Sequence, residues 1–314
     1  MSQNIIEKLR EEAIRQLFKP GNKFSSVWPI WQTCIHSYAP LPTPTARQIT
    51  DLGDHLREIF YTTANGRGQG EVSAGGANWE ALVCWYLNLC NIGRRTVVIK
   101  HNKQLIPTPI SDAITVNYGN YPSNTESDLI AITFPNLPEY TMDKDSIQIN
   151  DENGQTVSIN HRGTFHYNLL EVLNALVARD FAQIEIHIIQ CKTNWRDNAQ
   201  IPMLWDMVYK AGNFESNITV GQNNYSLSSA RLFTYAFATV PTGKDNYTPT
   251  STPVCRVRPL SGGNYWGKAS SSGIASSLKE MLSRNLQHGD ALPHMQTLAN
   301  ELPKLQTAYS YFNY

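Results

Sequence analysis

The stretch Ile184-Glu185-Ile186-His187-Ile188-Ile189-Gln190-Cys191-Lys192 limits what this chain can fold into more than any other. Apolar and polar residues alternate, the pattern turns fully apolar, and it closes on Gln-x-Lys. A half-buried strand entering a covered sheet interior reads this way. Gln190 and Lys192 stand two residues apart, so both project from one face at the strand's end. An ammonium group after so much apolar sequence needs a cleft or a partner, since burying it unpaired is costly. For a lone lysine the plain alternative is a strand that has reached solvent. A second short strand, within Thr125-Glu126-Ser127-Asp128-Leu129-Ile130-Ala131-Ile132-Thr133-Phe134, opens with an acid and offers that lysine a counterpart.

The chain has 314 residues, 41% of them hydrophobic, enough for a sizeable core in one or two domains. No apolar run approaches the ~20 residues of a membrane span. Ser2 to Phe18 is charged and amphipathic rather than signal-like, so a cytoplasmic protein is expected. Cys34, Cys84, Cys90, Cys191 and Cys255 show no Cys-x-x-Cys spacing, which points to reduced, mostly buried thiols without a zinc cage. Lys+Arg and Asp+Glu both number 26. Zero net charge argues against coating polyanions by bulk charge and leaves room for a locally basic cleft. The histidines are scattered without metal-ligand spacing, and the serine runs lack a nucleophile-elbow context.

Apolar residues from Ile5 to Phe18 recur at helical spacing until Lys19-Pro20-Gly21 stops them. An aromatic segment with Trp28, Trp31 and Tyr38 leads to a proline-rich stretch, and a second helix is expected from about Thr45 to Phe60. Asn65 to Gly70 reads as a tightly turned loop. With Asn78 as N-cap, Trp79 to Cys90 forms a helix apolar nearly all round and therefore buried. Glu80 is its only acid. In a first turn it could simply complement the helix dipole, worth ~0.3–1 kcal/mol. On so apolar a helix it is also a candidate site residue. Further strands are expected at Thr96 to Lys100, Arg231 to Val240 and Val254 to Val257, and a hairpin around Asn150 to Gly154. Helices are expected over Tyr167 to Arg179, Pro202 to Lys210 and Gly273 to Leu286.

Phosphodiester hydrolysis is very slow unaided. It needs water brought to the phosphorus and charge absorbed on a pentacovalent centre. Magnesium held by a few oxygens, with water sites left open, does both. Asp128 at a strand head, Gln190 at its neighbour's end and the carbonyl of Cys191 are candidate ligands. Glu80 would bind or orient a metal water from the helix side. Lys192 would orient or deprotonate the attacking water.

The residues Glu80 on a buried helix, Asp128 in Ser-Asp-Leu-Ile and Gln190-Cys191-Lys192 ending an apolar strand resemble the PD-(D/E)xK nuclease superfamily, and within it the type II restriction endonucleases. The resemblance covers about Gly75 to Lys210. It implies an α/β fold with a mixed central sheet flanked by helices, to which this chain adds a helical N-terminal and a mixed C-terminal region. One domain is expected, with a helical region over 1–65, a catalytic core over 66–212 and a recognition or dimerisation region over 213–314. The implied activity is magnesium-dependent cleavage of double-stranded DNA by a homodimer at a short palindrome, in a prokaryotic cell with a companion DNA methyltransferase. Two features depart from the family. Gln190 stands where it usually has Asp or Glu, with Glu126 or Glu185 as compensating acids. The interval from Asp128 is also long, which makes Asp180 a rival for the first acid. Candidate DNA contacts are Arg67, Gln69, Arg94, Arg95, Asn194, Arg196, Asn198, Arg256, Arg258 and Lys268. A repair or mobile-element nuclease, an inactive DNA-binding protein of the same fold, and an ordinary Asp128–Lys192 ion pair stay open as alternatives.

Overall fold

The computed structural model describes residues 3–63, 69–123, 127–160, 166–193, 200–214, 217–240, 247–267, 277–286 and 293–314. The helices are α1 (Ile5–Leu17), α2 (Lys23–Tyr38), α3 (Ala46–Tyr61), α4 (Gln69–Cys90), α5 (Thr108–Ala113), α6 (Pro138–Thr141), α7 (Leu169–Asp180), α8 (Gln200–Ala211), α9 (Thr252–Val257), α10 (Leu278–Asn285) and α11 (His294–Glu301). The strands are β1 (Thr96–Lys100), β2 (Val116–Tyr118), β3 (Tyr121–Ser123), β4 (Leu129–Thr133), β5 (Glu185–Lys192), β6 (Asn213–Phe214), β7 (Ile218–Val220), β8 (Leu232–Thr239) and β9 (Asn264–Tyr265). No helix among the described residues is long and apolar enough to cross a membrane.

The chain is α/β, and β5 lies at the centre of its main sheet. That sheet runs β1-β4-β5-β8-β9. β1, β4 and β5 pair antiparallel, whereas β8 and β9 continue parallel to β5. A parallel neighbour requires a crossover, and α8 lies in the one between β5 and β8. A smaller sheet, β3-β2-β7-β6, is assembled from the β1–β4 and β5–β8 connections.

Helices cover both faces of the main sheet, giving three layers. Ile186 and Ile188 share one core with residues of α5, α7 and α9. Ile189 and Cys191 share the other with α2, α3 and α4. β5 is therefore covered on both faces rather than half-buried. Two of its polar residues, Glu185 and His187, are 2% and 1% exposed and lie against each other. His187 Nε2 lies 3.7 Å from Glu185 Oε2, and its Nδ1 lies 2.7 Å from Thr234 Oγ1. Arg231 approaches Glu185 to 3.4 Å.

Three local expectations change. The aromatic segment is the helix α2, whose Phe24, Trp28, Trp31 and Ile35 form a buried stripe at helical spacing. Pro29 lies inside that helix on its exposed side. An interior proline costs about 3 kcal/mol; burying Phe24 and Ile35 alone offsets it at about 1.5–3 kcal/mol each. Helix α4 starts at Gln69, so Asn78 sits within it and is not its cap. Extending an existing helix adds a hydrogen bond for each residue fixed, which overrides the weak propensity of Gly75 and Gly76. Val254 to Val257 belongs to α9 and not to a strand, with Val254 and Val257 buried together one turn apart. The expected hairpin is present around the antiparallel Asn150–Thr156 bridge, the Asp151 N–H donating to the Gln155 carbonyl and the Val157 N–H to the Ile149 carbonyl at 2.9 Å each.

Candidate active site

β4 and β5 pair from Thr133↔Glu185 to Leu129↔Ile189 and then part. Asp128 is the residue just before β4, and its side chain enters the gap. Asp128 Oδ2 accepts the Cys191 N–H at 2.7 Å, taking the place of a ladder carbonyl. The same oxygen lies 3.4 Å from Lys192 Nζ. The Asp128 carbonyl accepts the His101 N–H at 3.1 Å, so the acid is held from both neighbouring strands. The Asp128 and Lys192 side chains are 19% and 36% exposed, open enough for a ligand to reach.

Within a strand, a residue's N–H and C=O point to the same side. Cys191 directs its N–H to Asp128, so its carbonyl faces the same gap. Lys192 faces the other way, its carbonyl accepting the Val240 N–H at 3.1 Å. Burial raises the Cys191 thiol well above its ordinary pKa, with Asp128 and Glu80 adding to the rise, which leaves the thiol neutral.

Glu80 reaches the cluster from α4. Because α4 begins at Gln69, Glu80 is mid-helix and cannot serve as a first-turn dipole partner. Its Oε2 lies 3.0 Å from Lys100 Nζ, which also donates to the Ala77 carbonyl at 3.0 Å. Burial raises the Glu80 pKa, as does the like charge of Asp128, while Lys100 and Lys192 pull it down. The fold thus brings Glu80, Asp128 and Lys192 into one electrostatic neighbourhood.

One step beyond Leu129↔Ile189, the ladder places Asp128 opposite Gln190, and opposed residues share a face. Gln190 is 3% exposed, and its Oε1 has no hydrogen-bond partner among the described residues. Thr239, opposite Lys192 on β8, also leaves its buried Oγ1 without one there. An orphaned buried acceptor costs about 1–3 kcal/mol, so Gln190 Oε1 is suited to a ligand. No three His, Cys, Asp or Glu side chains gather as a metal cage among the described residues. Magnesium is commonly held by one or two carboxylates plus waters; Asp128, Glu80 and the Cys191 carbonyl fit that pattern, whereas Gln190, in step with Ile186 and Ile188, starts from the sheet face away from α4.

Other candidates separate from this cluster. Asp180 ends α7, bonded to Arg179 and Tyr140, and leads into the opposite end of β5 from Lys192. Glu185 stands at that far end too, and neither acid can replace Asp128 or compensate for Gln190. Arg94 and Arg95 are buried before β1, at the end away from Lys100, and Arg95 donates to the Phe134 carbonyl. Their burial withdraws them as phosphate contacts. Arg256 and Arg258 keep surface exposure, Arg258 donating to the Pro249 carbonyl at 2.6 Å. Gln69 opens α4 and is not in a loop, and its side chain lies outside the described residues. Arg67, Glu126, Asn194, Arg196, Asn198 and Lys268 lie outside them as well.

Lys100 is the neighbour that the motif did not supply. Its signal was present, because Thr96 to Lys100 is another apolar run closing on a lysine. No protein-family model and no curated protein matches this sequence.

Proposed function

We propose that this chain is a magnesium-dependent endonuclease of the PD-(D/E)xK kind, in a Gln-x-Lys form, that hydrolyses phosphodiester bonds of double-stranded DNA. The observation that carries this assignment is the Asp128 carboxylate in the β4–β5 gap, bonded to the Cys191 N–H and beside Lys192, with the Glu80 charge near enough to interact with it. The mixed central sheet flanked by helices accords with it. Asp128, Glu80 and the Cys191 carbonyl would hold magnesium, which when bound polarises a phosphoryl oxygen and acidifies water. Lys192 orients the attacking water or takes its proton. Asp128 limits where that ammonium can go. Within this class we favour a restriction enzyme acting as a homodimer, since a palindrome read by two identical surfaces needs a two-fold axis. A companion methyltransferase would protect the host's own sites. Arg256 and Arg258 are the remaining arginine candidates for backbone contact.

Incubating the purified protein with plasmid DNA and magnesium should give a ladder of discrete bands. A smear would identify a nonspecific nuclease of the repair or mobile-element type. DNA binding without cutting would identify an inactive relative. Neither binding nor cutting would overturn the assignment.

Glu80 supplies a pH test. It must ionise to hold a metal, so binding releases its proton. The magnesium needed for half-maximal single-turnover cleavage should rise as pH falls below the raised Glu80 pKa. Glu80→Gln should need more magnesium throughout and lose that pH dependence; an unchanged dependence would place its origin elsewhere. Without metal the sign reverses. A raised carboxyl pKa contributes stability that is full below the ordinary glutamate value and is lost as pH rises through the raised one.

A further inference from the structure

A cavity of about 220 Å³ opens behind the Asp128 cluster, between the end of α1, the start of α2, α4 and the end of β1. Its wall includes Asn22, Lys23, Asn78, Lys100, His101 and Asn102, and no carboxylate lines it among the described residues. Lys23 has no ion-pair partner there. Asn78 is 5% exposed, lines the cavity and makes no side-chain hydrogen bond among the described residues, so its amide is free to bond a ligand there. The Asn22 side chain does not cap α2; it donates back to the Gln16 and Leu17 carbonyls instead. The first turn of α2 carries no acid, so the positive end of this helix adds to Lys23. Two residues join cavity and site. His101 donates its N–H to the Asp128 carbonyl at 3.1 Å, and its Nδ1 lies 3.0 Å from Ser127 Oγ. Lys100 is the ion-pair partner of Glu80.

We propose that this cavity holds a backbone phosphate of the DNA strand, beside the one being cut, an inference that rests on the nuclease assignment. Lys23 supplies the charge, and the Asn78 and Asn102 amides supply hydrogen bonds to the phosphate oxygens. The volume accommodates a phosphate group with several waters. Lys100 and His101 line the cavity and also contact Glu80 and Asp128, so a phosphate held in the cavity would lie next to the one at Asp128.

The test measures binding of a duplex carrying the cut site mapped from plasmid digestion, with calcium in place of magnesium to prevent cutting. Lys23→Gln should lower the slope of log affinity against log salt by about one unit for each subunit engaged. Asn78→Asp, which puts a like charge in the cavity, should weaken low-salt binding about tenfold or more. Lys304→Gln, a surface lysine paired with Glu301, should keep the wild-type slope. Methylphosphonates placed singly at the phosphates flanking the cut locate the contact. One position should weaken the wild type and cost Lys23→Gln nothing further, the coupling expected of a direct pair. Thermal melts identify any variant whose loss comes from unfolding. A wild-type slope in folded Lys23→Gln, or equal methylphosphonate penalties in both proteins, overturns the subsite while leaving the nuclease assignment intact. A wild type that neither binds nor cuts duplex DNA removes the assignment, and the subsite with it, before any variant is made.

Discussion

Asp128→Asn should lower magnesium-dependent cleavage by at least about 10³-fold, the scale of losing one preorganised electrostatic group or more, while the thermal melt stays close to wild type. The asparagine amide oxygen can still accept the Cys191 N–H now held at 2.7 Å by the carboxylate, so the end of β5 keeps its anchor. The charge that would hold a divalent cation and face Lys192 disappears. Asp128→Ala is the less clear variant, because it also strands the Cys191 N–H, at about 1–3 kcal/mol if that group stays dry. Single-turnover cleavage, melting and duplex binding in calcium should be read on both. Cutting by Asp128→Asn at a rate within tenfold of wild type would remove Asp128 from the chemistry. Retained melting and binding with cleavage lost would separate its catalytic role from its structural one.

Lys192→Met should cost about 10²–10⁴ in single-turnover rate, the range for removing a general acid–base group. Methionine keeps the length and apolar stem of the side chain, and the backbone pairing of Lys192 with Val240 does not involve the ammonium. The change therefore isolates the charge and the proton. Lys192→Arg distinguishes the two. A guanidinium stays protonated throughout the accessible range, so it restores activity only if the cation orients water or phosphate. If Lys192 must accept a proton, the arginine variant should be as slow as the methionine one. A methionine variant within tenfold of wild type would exclude Lys192 from both roles and leave its ion pair with Asp128 as ordinary surface electrostatics.

The end of β5 is legible in the sequence because alternation fixes which side chains share a face, so Gln190 and Lys192 can be placed together without coordinates. That Asp128 lies beside them follows from strand pairing, which a single sequence does not encode locally. Asn78 looked like a cap because Gly75 and Gly76 are poor helix formers, yet the helix runs through them, which places Glu80 mid-helix. The aromatic residues of α2 stand at helical spacing, and Pro29 is accommodated inside the helix. The buried Arg94 and Arg95 show the limit of reading charge as surface: paired cations before a strand looked like phosphate contacts, but tertiary packing encloses them. Lys100 was missed because its role depends on a helix that approaches it only in the fold.

The carboxylate of Asp128 occupies a rung that backbone pairing leaves vacant where β4 and β5 diverge. The placement of Asp128 and the strand register are consequently one variable. Sliding β4 by a single residue would turn Leu129 and Ala131 from one core to the other and carry Asp128 out of reach of Cys191 at the same moment. An insertion or deletion next to Ser127 should therefore be far less tolerated than one of equal size in the Asn150 to Gly154 turn. Point changes that erase the charge can leave the sheet standing, so such a protein can lose its chemistry by substitution much more readily than by a shift in its frame.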